Sequence, residues 1–332
     1  MAGATPVRIG LLHDFPQADG GSAMEAALRL GLDDVVSAGR LDREIEFIAE
    51  DTKGLPMGSE HEVVTSFRSL EATGCLLVVG PAVSDNGLIT APLFDGAELP
   101  SINYTGGERT RGKFGFHYQV GSLEEEPAVL ARRLQQRGLH RPAVVHDHSP
   151  VGRRYAECFE EARSAFGLEL AGAIAISSVA EELSEPIGRA RELDPDSLVY
   201  LGLGMSSRAV SLALEKHAWQ VPVVANSALM FGYARPEWRE GWKGWEYIDG
   251  IADDNSMRAS LRERSPESAA GPMGCAMYDI GRLIGEALAR ADHLTRDGLR
   301  LALERVKQLP ATCGRAGTTM GFGVYDHAAL KG

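Results

Sequence analysis

RPAVVHDHSPVGRRYAECFEEARSAFG, residues 141–167, changes its hydrophobic rhythm halfway along. Its first nine residues are an apolar run ending in small polar groups, which reads as a strand. From Val151 the apolar residues Tyr155, Cys158, Phe159 and Ala162 recur at the spacing of one helix face. A strand running straight into a helix is half of a βαβ unit, and such units build parallel sheets with helices on both faces. The same unit recurs on either side. Upstream, VRIGLL leads to SAMEAALRLGLDDVVSAG, with Ser22 as N-cap and Gly39 as stop. EIEFIAED then leads to SEHEVVTSFRSLEATG, CLLVVG to NGLITAPLFDGA, and LPSINY closes the series. After GKFGFHYQVGSLEEEPAVLARRLQQRG the pattern restarts at Arg141 instead of continuing. It runs on through ELAGAIAIS, LSEPIGRAREL, SLVYLGLG, SSRAVSLALEKHA and VPVVANSA. The expected fold class is therefore α/β, with two doubly wound Rossmann-like lobes. The chain passes between them near His117–Gly121 and Tyr247–Ala252. The tail adds two helices, CAMYDIGRLIGEALARAD and TRDGLRLALERV, without a new strand series, so it packs back on an existing lobe.

Composition sets the frame for function. The chain has 332 residues, more than one compact domain usually holds, with 44% hydrophobic and 24% charged residues. With 34 Lys and Arg against 46 Asp and Glu, its formal charge of -12 repels nucleic-acid phosphate, so no nucleic-acid partner is expected. No apolar run reaches the roughly 18 residues of a membrane span, so no membrane insertion is expected. MAGATPVRIG lacks the charged and apolar regions of a signal peptide. As written the sequence predicts a cytoplasmic chain, or an extracytoplasmic one if a signal segment precedes Met1. Cys75, Cys158, Cys275 and Cys313 lie far apart and form no CxxC, which reads as free buried thiols.

In open α/β sheets, ligands gather where the carboxyl ends of strands meet helix N-termini. Several loops qualify. Phe15 follows the first strand. Val83, Ser84 and Asp85 follow VVGPA, with Asn86 beside them. Asn103, Tyr104, Thr105 and Gly106 follow LPSI, and Gly106-Gly107 permits close backbone approach. In the second lobe Val151 follows VVHDHSP, Leu203, Gly204 and Met205 follow LVYLG, and Asn226, Ser227 and Ala228 follow VVA. Ser84, Asp85 and Asn86 equally suit a helix cap, since these are favoured capping residues. Asn103 and Tyr104 equally suit a turn with a packed aromatic.

Taken in order, IGLL, IEFIAED, VVGPAVSDN, LPSINYTGGERT, FHYQVGSLEEE, AVVHDHSPVGRRYAECFEEA and SLVYLGLGMSSRAVSLALEK resemble the type I periplasmic binding proteins of the leucine/isoleucine/valine class. The resemblance covers nearly the whole chain. It implies lobes at residues 1–119 with 250–332 and at 120–249, joined by hinge strands. It also implies that the two lobes close on an amino acid or related small molecule, for delivery to an ABC transporter permease or for signalling to a protein partner. By position, Ser84 resembles the family's hydroxyl for the ligand carboxylate, and Tyr104–Gly107 the loop completing that cradle. Asn226 and Ser227 match the place where the family often carries an acid for the ligand ammonium. Val151 stands where the family often has tyrosine, and no acid stands at Asn226. A small carboxylate or amide with an apolar or aromatic body is therefore expected in preference to a simple zwitterion. TTMGFGVYDHAALKG resembles the family's final hairpin in the first lobe.

Enzymatic signals are thin. There is no GxSxG elbow, no GKS or GKT phosphate loop and no HExxH. GLGMSS resembles part of a dinucleotide fingerprint, but Ser207 replaces its third glycine. An NAD(P)-dependent oxidoreductase is the enzyme alternative, and a cytoplasmic small-molecule sensor the other. His146 and His148 stand two apart without a third ligand at recognisable spacing, so neither metal nor cofactor is expected. Trp238, Trp242 and Trp245 read as a packed cap on the second lobe.

Overall fold

A computed structural model describes residues 6–14, 21–119, 122–233 and 235–331. The chain divides into two compact units, Met1–Val120 with Ile251–Gly332, and Gly121–Gly250.

The first unit begins with β1 (Val7–His13), α1 (Ser22–Ser37), β2 (Ile45–Asp51), α2 (Glu60–Ala72), β3 (Leu77–Val79), α3 (Ser84–Gly96), β4 (Ser101–Asn103) and β5 (Gly115–His117). The strands pair in parallel in the order β2-β1-β3-β4-β5. Central strands buried on both sides explain the unbroken apolar runs of the sequence. Leu12, Val78, Phe67, Leu70, Phe94 and Leu99 form one packed cluster between sheet and helices. Helix α1 starts at Ser22 as expected, but Gly21 holds the cap position and no side chain caps it.

The second unit comprises α4 (Glu126–Gln136), β6 (Pro142–Asp147), α5 (Pro150–Arg163), β7 (Gly172–Ile176), α6 (Ser184–Glu192), β8 (Ser197–Leu201), α7 (Ser207–Lys216), β9 (Val223–Ala225), α8 (Pro236–Arg239) and β10 (Glu246–Tyr247). Its sheet runs β10-β9-β8-β6-β7, which read from the other edge repeats the topology of the first unit. Alternate residues feed opposite faces. Ala143, Val145, Leu198 and Tyr200 pack into one core and Val144, Val199 and Leu201 into the other. Trp238 and Trp242 are buried in the first of these cores and Trp245 packs against it, so the tryptophan cluster is core rather than a stacking platform.

The tail returns to the first unit with α9 (Ser256–Arg264), α10 (Pro272–Arg290) and α11 (Arg296–Leu303). It ends in a small antiparallel sheet of β11 (Leu309–Pro310), β12 (Thr319–Met320) and β13 (Leu330–Lys331). Helix α9 was not legible, because Leu261 is its only buried apolar residue. Helix α10 lies against α1 at a glycine crossing: a Cβ on Gly31 would fall 2.0 Å from the Tyr278 carbonyl, and one on Gly281 2.1 Å from that of Leu28. Only glycine permits backbones this close. Among the described residues no helix is long and apolar enough to cross a membrane.

Candidate functional site

In the first unit the carboxyl edge is organised by Asp14, which follows β1. Its carboxylate accepts the backbone N–H groups of Ala82 (2.8 Å) and Val83 (2.9 Å) and the Asn86 amide (2.9 Å). Burial pushes its carboxyl above the ordinary range, and these hydrogen bonds pull the other way. An acid from a distant strand thus sits on the N-terminus of α3, where negative charge is favoured. Neither Ser84 nor Asp85 nor Asn86 is the cap residue of the helix: that position is Val83, whose N–H is served by Asp14. Asn86 instead clasps Leu55, accepting from its N–H at 2.9 Å and donating to its carbonyl at 3.1 Å.

Ser84 is left for another task. Its Oγ accepts the Gly106 N–H at 2.8 Å, which ties the loop after β3 to the loop after β4. Both residues are partly exposed. Gln119 lies against Gly106 and accepts the Gly107 N–H at 3.2 Å. A hydroxyl that accepts from the backbone still has its own proton to donate. Other expected residues are turned inward. Thr105 Oγ1 donates within a closed network, 2.6 Å from both Asn103 Oδ1 and Thr110 Oγ1, while Asn103 Nδ2 donates to the Thr110 carbonyl at 3.0 Å. Asn103 and Thr105 therefore hold the loop's shape. Tyr104 is buried with its ring 6.5 Å from that of Tyr118, nearly parallel. Asp85 is buried in the first turn of α3. Phe15 lies outside the described residues.

In the second unit Asp147, the last residue of β6, accepts the Leu203 N–H at 2.6 Å and the Ser206 hydroxyl at 3.2 Å. Gly202 must be glycine, because a Cβ there would lie 2.3 Å from the Asp147 carboxyl carbon. The place a phosphate would take at a dinucleotide loop is thus filled by the chain's own carboxylate, which removes the force of GLGMSS. Asn226 spends its amide on Gly202, donating to its carbonyl at 2.9 Å and accepting its N–H at 3.4 Å. Ala228 is buried, and Gly204 is buried with its carbonyl bonded to the Ser207 hydroxyl at 2.6 Å. Of the expected second-lobe residues, Val151, Leu203 and Met205 remain partly exposed, and all three are apolar.

One group changes the expectation that this edge lacks an acid. Glu126, 1% exposed, accepts the Ser227 N–H at 2.9 Å and the Ser227 hydroxyl at 2.8 Å, and the Tyr155 hydroxyl lies 3.4 Å away. Burial raises its carboxyl to about 7, against the pull of those three donors. The acid is supplied not from the loop after β9 but from the first turn of α4. Sequence order hides it, because nothing in SLEEEP says which of three glutamates turns inward.

The structure thus brings Ser84, Gly106 and Gln119 together at one carboxyl edge, and at the carboxyl edge of the second sheet Val151 stands in the first turn of α5 and Leu203 and Met205 on the loop after β8. The residues missed are Asp14, Gln119, Glu126 and Asp147. A signal for two of them was present, since His13-Asp14 and His146-Asp147 put the same dipeptide at the ends of topologically equivalent strands. Among the described residues no group of three His, Cys, Asp or Glu side chains could hold a metal ion.

Comparison with known proteins bears on this geometry. Residues 6–329 match a family profile described as periplasmic binding protein. No curated protein sequence matches the chain. Similar solved structures include a periplasmic binding protein type 1 from Bordetella pertussis Tohama I, at TM-score 0.84 and 14% identity, covering 98% of this chain and 94% of that one. A leucine binding protein from Thermotoga maritima aligns at TM-score 0.79 and 15% identity, covering 98% and 93%. An ABC transporter solute binding protein from R. palustris, in complex with 4-hydroxybenzoate, aligns at TM-score 0.77 and 13% identity, covering 98% and 90%. At these identities the likeness is one of fold.

Proposed function

This chain belongs to the periplasmic binding protein family, and we propose that it works there as a non-enzymatic binder of a small carboxylate or amide with an apolar or aromatic body. The observation that carries this is the Ser84 hydroxyl. Its oxygen accepts from Gly106, it keeps a proton to donate, and it stands partly exposed in the first turn of α3, an arrangement suited to a carboxylate or amide oxygen. Glu126 does not restore a site for a strong cation, because it is sealed behind Ser227 and half-protonated near neutral pH. The R. palustris protein, solved with an aromatic acid, supports this ligand class, and its description as part of an ABC transporter supports delivery of the solute to such a transporter.

The test is a thermal-shift screen of aliphatic and aromatic acids, their amides and the branched-chain amino acids. Ligand at about a hundred times Kd stabilises the folded state by about 2.7 kcal/mol. With the best hit, Ser84→Ala is expected to weaken binding roughly tenfold to a hundredfold, the loss of one hydrogen bond to a charged group. Leucine, isoleucine or valine as best hit would overturn the ligand class, and unchanged binding by Ser84→Ala would remove Ser84 from the site.

A further inference from the structure

Gly106 meets a demand of space rather than of conformation. Its φ is not positive, so its backbone lies outside the region that favours glycine. The atoms nearest to a Cβ built there are Gln119 Nε2 at 3.0 Å, Ser84 Oγ at 3.6 Å and Gln119 Cδ at 3.7 Å. The glycine thus leaves a notch in the loop after β4 whose nearest walls are two polar groups from other loops, Ser84 in the first turn of α3 and Gln119 just beyond β5. Backbone donors fix both. Ser84 Oγ accepts the Gly106 N–H at 2.8 Å, and Gln119 Oε1 accepts the Gly107 N–H at 3.2 Å. The amide oxygen is therefore committed to the loop, and its NH2 end is the one beside the notch. Among the described residues nothing accepts from the Ser84 hydroxyl or from Gln119 Nε2, and both side chains belong to partly exposed residues.

We propose that Gln119 is a specificity-determining residue, the second donor beside Ser84, and that the pair selects a carboxylic acid over the corresponding amide. The inference rests on the carboxylate-or-amide reading of Ser84 given above and narrows it. A carboxylate carries two acceptor oxygens, so one takes the Ser84 hydroxyl and the other the Gln119 N–H, with the head drawn close to the backbone at Gly106. Both bonds are then charge-assisted, the stronger kind. An amide has one oxygen and one NH2 group. With its oxygen on Ser84, its NH2 meets the Gln119 NH2, and no bond forms between two donors. With its oxygen on Gln119, its NH2 reaches only the remaining lone pair of Ser84, which turns the Ser84 proton away from the ligand. In either pose one donor of the pair is left without the ligand, and neither remaining bond carries charge. The discrimination therefore comes from Gln119, because Ser84 alone accommodates either oxygen.

The test is calorimetry on the full chain at neutral pH with matched acids and primary amides: benzoate and benzamide, 4-hydroxybenzoate and 4-hydroxybenzamide, phenylacetate and phenylacetamide, isovalerate and isovaleramide. In the best pair the wild type is expected to bind the acid at least about tenfold more tightly than the amide, the effect of one hydrogen bond to a charged group. Gln119→Glu keeps an oxygen for the Gly107 N–H but replaces the donor by an acceptor, and is expected to reverse the preference in favour of the amide. A residue that only braced the loop would lower both affinities together, so an unmoved ratio in Gln119→Glu overturns the proposal. Gly106→Ala fills the notch and is expected to weaken the acid at least about tenfold, and wild-type affinity in that variant overturns the proposal as well. An amide bound by the wild type as tightly as its acid overturns this inference and leaves the broader reading of Ser84 standing. Binding of neither member in any pair overturns both.

Discussion

The two lobes share one device and differ in what is placed beside it. In each, an aspartate at the end of the first strand turns across the sheet edge and collects donors from the loop after the third strand: Asp14 takes Ala82, Val83 and Asn86, and Asp147 takes Leu203 and Ser206. Strand order is the same in both. The neighbours of the clamp are not. Beside Asp14 the next loop is tied by a neutral hydroxyl, Ser84 to Gly106, whereas the equivalent loop of the second lobe is tied by an acid, Glu126 to Ser227. The clamp belongs to the scaffold, and the tie is where the lobes diverge in chemistry.

If the clamps are scaffold, removing one costs stability in proportion to the donors it satisfies. Asp14→Ala strands three of them, and at about 1–3 kcal/mol for each unsatisfied buried donor the expected loss is at least about 3 kcal/mol. Urea unfolding measures the loss, and hydrogen exchange is expected to place it at α3. A loss below that of Asp147→Ala would break the parallel.

The acid tie is expected to show in pH dependence. Glu126 titrates at about 7 in the folded chain against an ordinary 4.5, so between those values the folded state holds a proton that the unfolded state has released. Its contribution is fully present below about pH 4.5 and is lost as pH rises through about 7, a fall of about 3 kcal/mol. The difference in unfolding free energy between wild type and Glu126→Gln across that window isolates it. A difference that does not vary with pH would mean that Glu126 is ionised throughout and that the lobes differ less than their geometry suggests.

Asp147→Ala is expected to cost about 2 kcal/mol, for the Leu203 N–H and the Ser206 hydroxyl. The smallest effect belongs to the neutral tie. Without ligand, Ser84→Ala is expected to lower stability by about 1 kcal/mol, one ordinary hydrogen bond at a partly wetted edge, and to leave the pH profile unchanged. A larger loss would make Ser84 a structural clamp rather than a ligand group.

The alternation of strands and helices was legible because fully buried parallel strands have to be apolar throughout, as in CLLVVG and SLVYLG, and because helices such as α5 and α7 carry a single buried face. The restart at Arg141 marked the second sheet for the same reason. Roles at the loops were less legible. Ser84, Asp85 and Asn86 have the composition of a cap, yet the capping acid comes from Asp14, 68 residues from Ala82, and local spacing carries no trace of a partner that distant. Thr105 and Asn226 looked available because polar side chains at a sheet edge commonly are. Only the folded geometry shows that each is spent on the backbone or hydroxyl beside it. Glu126 was hidden by two adjacent glutamates of identical chemistry.

The glycine crossing of α1 and α10 has a consequence for the order in which the protein is made. Helix α1 emerges from the ribosome early, but the surface it packs on, around Tyr278 and Gly281, is translated some 250 residues later, after the whole second unit. The second unit is one uninterrupted segment, Gly121–Gly250, and holds all its own strands. During synthesis the middle of the chain can therefore complete its core first, while the N-terminal segment waits with the apolar face of α1 uncovered. That interval is when the nascent chain is most exposed to aggregation and to chaperones.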